Sequence, residues 1–243
     1  MAPVIAVAVL AALLAASGCA AWRIGESAAL AQRSEPLQRR PEAPTLRMLV
    51  VGDSTAVGTG ASAPERSLPG LIAASNPRLA IDNRAQDGAK FEDVAAQLAQ
   101  AGAHYDIVLV LAGGNDVIRL RDMDQLREDI DHVAARAQER ADLVVLMPAG
   151  NVGNAPFFFP PLSWWMSQRA RVMHAQVRAA AARHGAVYVR LFEERENDPF
   201  VRHPQLNASD GLHPSDAGYA AWYAALRAQA PGLMERLAAA RPR

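Results

Sequence analysis

The chain has 243 residues, 51% of them apolar, with 25 basic and 25 acidic side chains. That length suits one domain of about 200 residues with an extension, the apolar share excludes a disordered chain, and the balanced charge leaves no global field to recruit nucleic acid. The single cysteine, Cys19, excludes an intrachain disulfide and a cysteine-based zinc site.

Taken in order, the first stretch stands apart. Ala2 to Trp22 carries no charged side chain and ends in Trp22-Arg23. Roughly 20 apolar residues span a bilayer, and Trp beside Arg suits its interfacial edge. Residues 1–22 are therefore expected to be an N-terminal hydrophobic anchor or signal segment that associates the protein with a membrane. Three forms stay open. Ala16-Ser17-Gly18-Cys19 resembles a lipobox in which Cys19 is lipidated; the segment is otherwise an uncleaved anchor or a cleaved signal. A secretory signal normally begins with positive charge, which Met1-Ala2-Pro3-Val4 lacks apart from the α-amino group. Arg23, Arg33, Arg39 and Arg40 follow the span and favour a cytoplasmic domain. The side of the membrane stays open.

Residues 23–45 contain Ser34, Pro36, Pro41 and Pro44 with little apolar periodicity, which predicts a linker. From Leu46 short apolar runs recur at 46–51, 79–82, 106–112, 142–147 and 186–191, each bounded by turn or polar residues. Helical stripes lie between them. Phe91, Val94, Ala95, Leu98 and Ala101 form one over 90–102; Leu126, Ile130, Val133 and Ala137 form another over 122–139, with Asp122 as N-cap. Residues 163–184 and 215–229 are two further predicted helices. Alternating strands and helices with continuous apolar strands predict a three-layer α/β/α sandwich around a mostly parallel sheet of about five strands. The domain is expected over 46–230, with 231–243 as a C-terminal tail.

In such sheets chemistry collects past the carboxyl ends of the strands. Those loops are Gly52-Asp53-Ser54-Thr55, Asn83 to Gly88, Gly113-Gly114-Asn115-Asp116 and, before the last helix, Asp210-Gly211-Leu212-His213-Pro214. A serine hydroxyl needs a base to take its proton, and histidine suits that task at neutral pH. The imidazole needs a carboxylate that orients it, and Asp210 can reach back to His213 across one turn. The Ser54 and Gly88 amides and the Asn115 carboxamide are candidate donors to a developing oxyanion. No phosphate loop or metal-ligand cluster competes, so neither a metal nor a cofactor is expected.

These blocks resemble the SGNH hydrolases, also called GDSL-type esterases and lipases. The matching residues are Gly52-Asp53-Ser54, Gly88 preceded by Asn83, Gly113-Gly114-Asn115-Asp116, and Asp210-Gly211-Leu212-His213-Pro214, over about Leu46 to Leu226. Thr55 stands where the pattern often has Leu. The resemblance implies a flavodoxin-like sheet, Ser54 as nucleophile, His213 as base, Asp210 as its orienting acid, and Ser54, Gly88 and Asn115 as oxyanion hole. His203 lacks an aspartate three residues back and is expected at the surface; His104, His132, His174 and His184 are expected to be structural.

Asn151 to Met166 concentrates aromatic residues: Phe157, Phe158, Phe159, Trp164 and Trp165. Following the fourth strand, it should overhang the same edge, with Phe157, Phe158, Phe159 and Trp164 as an apolar wall for substrate or a rim that touches lipid, and Trp165 turned toward the core; the alternative is a long insert that packs its aromatics on the domain. The expected reaction is hydrolysis of an apolar small-molecule or lipid ester through an acyl-enzyme. Two rivals are an O-acyltransferase on the same triad and an inert membrane-tethered binding domain.

Overall fold

The computed structural model describes Gly18, residues 21–102 and residues 104–240. Most of the expected 1–22 segment, Cys19 included, lies outside the described residues. Among the described residues no helix is long and apolar enough to cross a membrane.

Side chains alternate across a strand, and β1 (Leu46–Gly52) uses both of its faces. Met48 and Val50 join one apolar cluster, Leu49 and Val51 the other. A strand buried on both sides needs helices above and below it. With β2 (Leu79–Asn83), β3 (Tyr105–Leu111), β4 (Ala141–Leu146) and β5 (Val187–Tyr188) it forms a parallel five-stranded sheet in the order β2-β1-β3-β4-β5. That is the three-layer, flavodoxin-like arrangement expected.

From β1 onward the helices in chain order are α1 (Ser54–Val57), α2 (Leu68–Ser75), α3 (Phe91–Gln100), α4 (Gly114–Ile118), α5 (Met123–Gln138), α6 (Leu162–His184), α7 (Pro199–Arg202), α8 (Asp216–Gln229) and α9 (Pro231–Ala239). Phe91, Leu98, Ile130, Val133, Met173 and Val177 from α3, α5 and α6 cover one face; Leu68, Ile72, Tyr219, Leu226 and Leu233 from α2, α8 and α9 cover the other. Local chemistry sets the ends. Asp122 accepts from the Asp124 and Gln125 amides at the start of α5, and Ser215 from the Gly218 amide at the start of α8, each cap contributing about 1 kcal/mol.

Two expected boundaries need correction. Residues 23–45 are not a free linker: residues 21–33 are helical, and Arg39 bridges Ile81 on the outer edge of β2 through hydrogen bonds of 3.0 and 2.9 Å. That bridge covers part of an edge that would otherwise offer unpaired backbone groups. Nor are residues 231–239 a tail, because α9 starts with Pro231 at N1 and buries Leu233 and Leu237, four residues apart on one face.

The strand order reverses between β1 and β3, since the chain leaves β1 for β2 on one side and returns to β3 on the other. Loops following β1 and β3 therefore diverge and leave a crevice at the carboxyl edge.

Candidate active site

Gly52 ends β1 with φ +144°, and a Cβ there would lie 1.8 Å from the Leu111 carbonyl oxygen of β3. Only glycine allows that approach. The buried Gln97 side chain of α3 braces the turn from behind, accepting from the Gly52 amide at 2.7 Å and donating to its carbonyl at 2.9 Å. Asp53 then caps α1, accepting from the Thr55 amide at 2.9 Å and the Thr55 hydroxyl at 2.6 Å. Ser54 is thereby placed at the first position of α1, facing the crevice.

His213 stands opposite. Asn207 pairs with Pro214 as an isolated antiparallel bridge, Ala208 N–H donates to the His213 carbonyl at 2.8 Å, and Gly211 turns the loop at φ +69°. Inside it, Asp210 Oδ1 accepts from the Leu212 and His213 amides at 2.9 and 3.1 Å, while Oδ2 lies 2.6 Å from His213 Nδ1. His213 Nε2 lies 2.8 Å from Ser54 Oγ. Because the Asp210 carboxylate can only accept, Nδ1 carries the ring proton and Nε2 presents its lone pair to the serine hydroxyl. Burial pushes the Asp210 carboxyl up, but the bond to His213, the charge that ring carries when protonated and the two amides outweigh it and hold the group below the usual aspartate value. All three residues are buried.

Ser54, Gly88, Asn115 and His213 line one cavity of about 530 Å³. Gly88 adopts φ +77°, with the Arg119 guanidinium 2.7 Å from where a Cβ would stand. Asn83 secures that loop from β2, donating to the Ala56 carbonyl at 2.8 Å and accepting from the Ala85 amide at 3.0 Å. Asn115 sits in the first turn of α4, with Gly113 as N-cap at φ +110°. No described residue accepts from the Ser54 or Gly88 amides, or from the Asn115 carboxamide.

Two carboxylates behind the site have raised pKa values. Burial lifts Asp53 to about 6, against the opposing bonds from Thr55. Burial likewise lifts Asp116 to about 7, against the Phe91 amide, with the nearby Asp53 charge adding to the rise. Their contacts brace the β1 turn and the start of α3; neither bonds Ser54 or His213. The other histidines lie elsewhere. His203 is exposed. His174 is buried between the Ala149 carbonyl and the Tyr188 hydroxyl, both at 2.7 Å, and burial holds its pKa down to about 4.

The aromatic stretch departs from expectation. Phe157 lines the cavity, and its amide donates to the Gly211 carbonyl at 2.9 Å. Phe158 packs against the core instead. Phe159 lies beneath the Arg23 guanidinium, 4.9 Å from the ring centroid, and Trp164 is 66% exposed; both line a separate groove with Phe158. Trp165, expected to turn inward, is exposed beside Arg169. The cause is helical phase. Within α6, Ser163 and Met166 take the inward positions, so the two residues between them face out.

Several cavity residues were not anticipated: Ile118, Leu191, Phe200 and Trp222 from the domain, and Ile24, Ser27, Ala28 and Ala31 from helix 21–33. The i, i+4, i+7 spacing of Ile24, Ala28 and Ala31 was the available signal, diluted by the small size of alanine.

Sheet order and loop geometry define the class: a parallel α/β sandwich with serine, histidine and aspartate in hydrogen-bonded series at the carboxyl edge of its first strand. The sequence profile of the GDSL-like Lipase/Acylhydrolase family matches residues 50–221, and the chain belongs to that family. It is 28% identical over 198 residues to a GDSL-like esterase of Mycobacterium tuberculosis, a match covering 76% of this chain and 62% of that relative's length. Among solved structures, an α/β hydrolase from the metagenome of Lake Arreo superposes with a TM-score of 0.60 at 22% identity, covering 80% of this chain and 97% of that one. The extracellular lipase of Streptomyces rimosus gives 0.59 at 20% identity, covering 76% and 99%. An acetylxylan esterase of Geobacillus stearothermophilus gives 0.56 at 22%, covering 77% and 95%.

Proposed function

We propose that the protein hydrolyses a carboxylic ester through an acyl-enzyme on Ser54. The observation that carries this reading is the continuous series Ser54 Oγ, His213 Nε2, His213 Nδ1, Asp210 Oδ2, with separations of 2.8 Å and 2.6 Å at its two hydrogen bonds. Ser54 Oγ attacks the ester carbonyl carbon while its proton passes to His213 Nε2. Negative charge moves to the carbonyl oxygen, which accepts from the Ser54 and Gly88 amides and the Asn115 carboxamide. His213 returns the proton to the leaving alkoxide, then takes one from water, whose oxygen attacks the acyl carbon; as the acyl bond to Ser54 Oγ breaks, His213 gives that proton to Oγ and the acid leaves. Asp210 holds the imidazole tautomer and stabilises its cation. An apolar acyl group fits best, because Ile118, Phe157, Leu191 and Phe200 line the cavity and its volume lies in the range of small-molecule sites.

The test is hydrolysis of p-nitrophenyl esters of graded chain length by the full chain and by Ser54→Ala. The substitution should lower kcat by about 10⁵-fold or more; equal rates in the two proteins contradict the assignment. Attachment to a membrane through residues 1–22 belongs to the same proposal, resting on the uncharged stretch Ala2 to Trp22. Carbonate-resistant sedimentation with membranes is the expected result, and complete release into the supernatant contradicts it.

A further inference from the structure

The cavity has a wall from outside the catalytic sheet edge. Ile24, Ser27, Ala28 and Ala31 of helix 21–33 line the same space as Ser54 and His213. Spacings of three and four put them on adjoining turns of one helix face. Ser27 and Ala31 are half-buried, while Ile24 and Ala28 are exposed.

This helix is tied to the two loops that border the cavity. The Arg23 guanidinium donates to the Pro156 carbonyl and stacks over Phe159, 4.9 Å from its centroid. On the other side the Ser209 hydroxyl, next to Asp210 in sequence, donates to Glu26 Oε1 at 2.6 Å, and Arg33 lies 3.7 Å from the same oxygen. The two loops are themselves joined by the bond from Phe157 to Gly211. The wall is therefore held at both edges relative to the loop that carries His213.

We infer that helix 21–33 is the specificity wall of the cavity, with Ser27 and Ala31 setting the room for the acyl part of the substrate. The inference rests on the proposed ester hydrolysis and adds a substrate class: esters of linear, apolar acids long enough to reach from Ser54 to this helix. An acetyl group stays at the sheet edge, while a longer chain lies against Ser27 and Ala31. Small side chains there keep the space open, and larger ones fill it.

Ser27→Phe and the milder Ala31→Leu, each in the full chain, test this against p-nitrophenyl acetate, octanoate and dodecanoate. Both variants should lower the octanoate-to-acetate ratio of kcat/KM by about tenfold or more, leaving acetate within about twofold. Calorimetric titration of dodecanoate into the Ser54→Ala protein, with and without the same wall changes, reads the wall independently of turnover. Weakened dodecanoate binding is expected. If the unsubstituted chain hydrolyses no ester but dodecanoate binding still falls in the wall variants, the hydrolase reading fails and the wall stands. The wall is overturned if the ratio and the binding are unchanged in both variants, if all esters slow equally, or if dodecanoate does not bind the unfilled cavity.

Discussion

The two walls of the cavity are built differently. At the sheet edge several bracing bonds are short in sequence, Asp53 to Thr55, Asn83 to Ala85, Asp210 to Leu212 and His213, and they are joined by the longer-range bonds of Gln97 to Gly52 and Asn83 to Ala56. Across the cavity, helix 21–33 is held by bonds between residues 133 and 183 positions apart, Arg23 to Pro156 and Ser209 to Glu26. One wall is shaped by turns that each carry their own partners. The other exists only once the domain has folded and offers it loops to rest on. The sheet-edge wall carries the proposed chemistry, and the helical wall the proposed choice of acyl group.

Breaking the sheet-edge wall should have the largest effects. Asp210→Asn keeps an oxygen for the Leu212 and His213 amides but disturbs the imidazole tautomer, so kcat should fall by about 10⁴-fold with little change in KM. Steady-state kinetics on p-nitrophenyl acetate check it. Asn115→Ala removes one of three candidate oxyanion donors and should lower kcat by about 10²–10³-fold in the same assay. Gly52→Ala forces a Cβ toward the Leu111 carbonyl at a left-handed φ, and urea unfolding should show a loss of about 3 kcal/mol or more.

A pH series sharpens the comparison further. Asp53 and Asp116, raised to about 6 and about 7, hold protons in the fold where the unfolded chain, near 3.8, has released them. Their contribution to stability is fully present below that unfolded value and is lost as pH rises toward 7. His174, lowered from 6.5 to about 4, acts in the opposite sense: its contribution is present above 6.5 and is lost as pH falls toward 4. Asp116→Asn should therefore make the slope of unfolding free energy against pH more positive between 4 and 7, measured by urea titration at successive pH values. An unchanged slope contradicts the raised pKa. The smallest effect belongs to the helical wall. Glu26→Ala removes the bond from Ser209 at a solvent-exposed position and should cost at most about 1 kcal/mol in the same titration.

The same division explains what the sequence made legible. Five apolar runs bounded by turn residues located the five strands of the described residues, and Asp122 marked a helix start that its side chain does cap. That Ser54, Gly88, Asn115 and His213 meet at one cavity was legible because each lies shortly after a strand or before a helix, and the sheet gathers such segments on one edge. Helix 21–33 was not legible, since its cavity face uses alanine and serine and prolines follow it closely. The aromatic stretch was legible as unusual but not in its directions; those of Trp164 and Trp165 depend on the phase of α6, whose Met166 packs into the core. The C-terminal helix was missed because Leu233 and Leu237 alone make too short a stripe.

Rapid mixing of the full chain with p-nitrophenyl octanoate, acid quenching and peptide mass spectrometry tests the central claim most directly. An octanoyl adduct should appear on the tryptic peptide Met48–Arg66 and fragment to Ser54, and Ser54→Ala should show none. Hydrolysis by Ser54→Ala at the rate of the unsubstituted protein, or an adduct on another residue during turnover, would contradict the account.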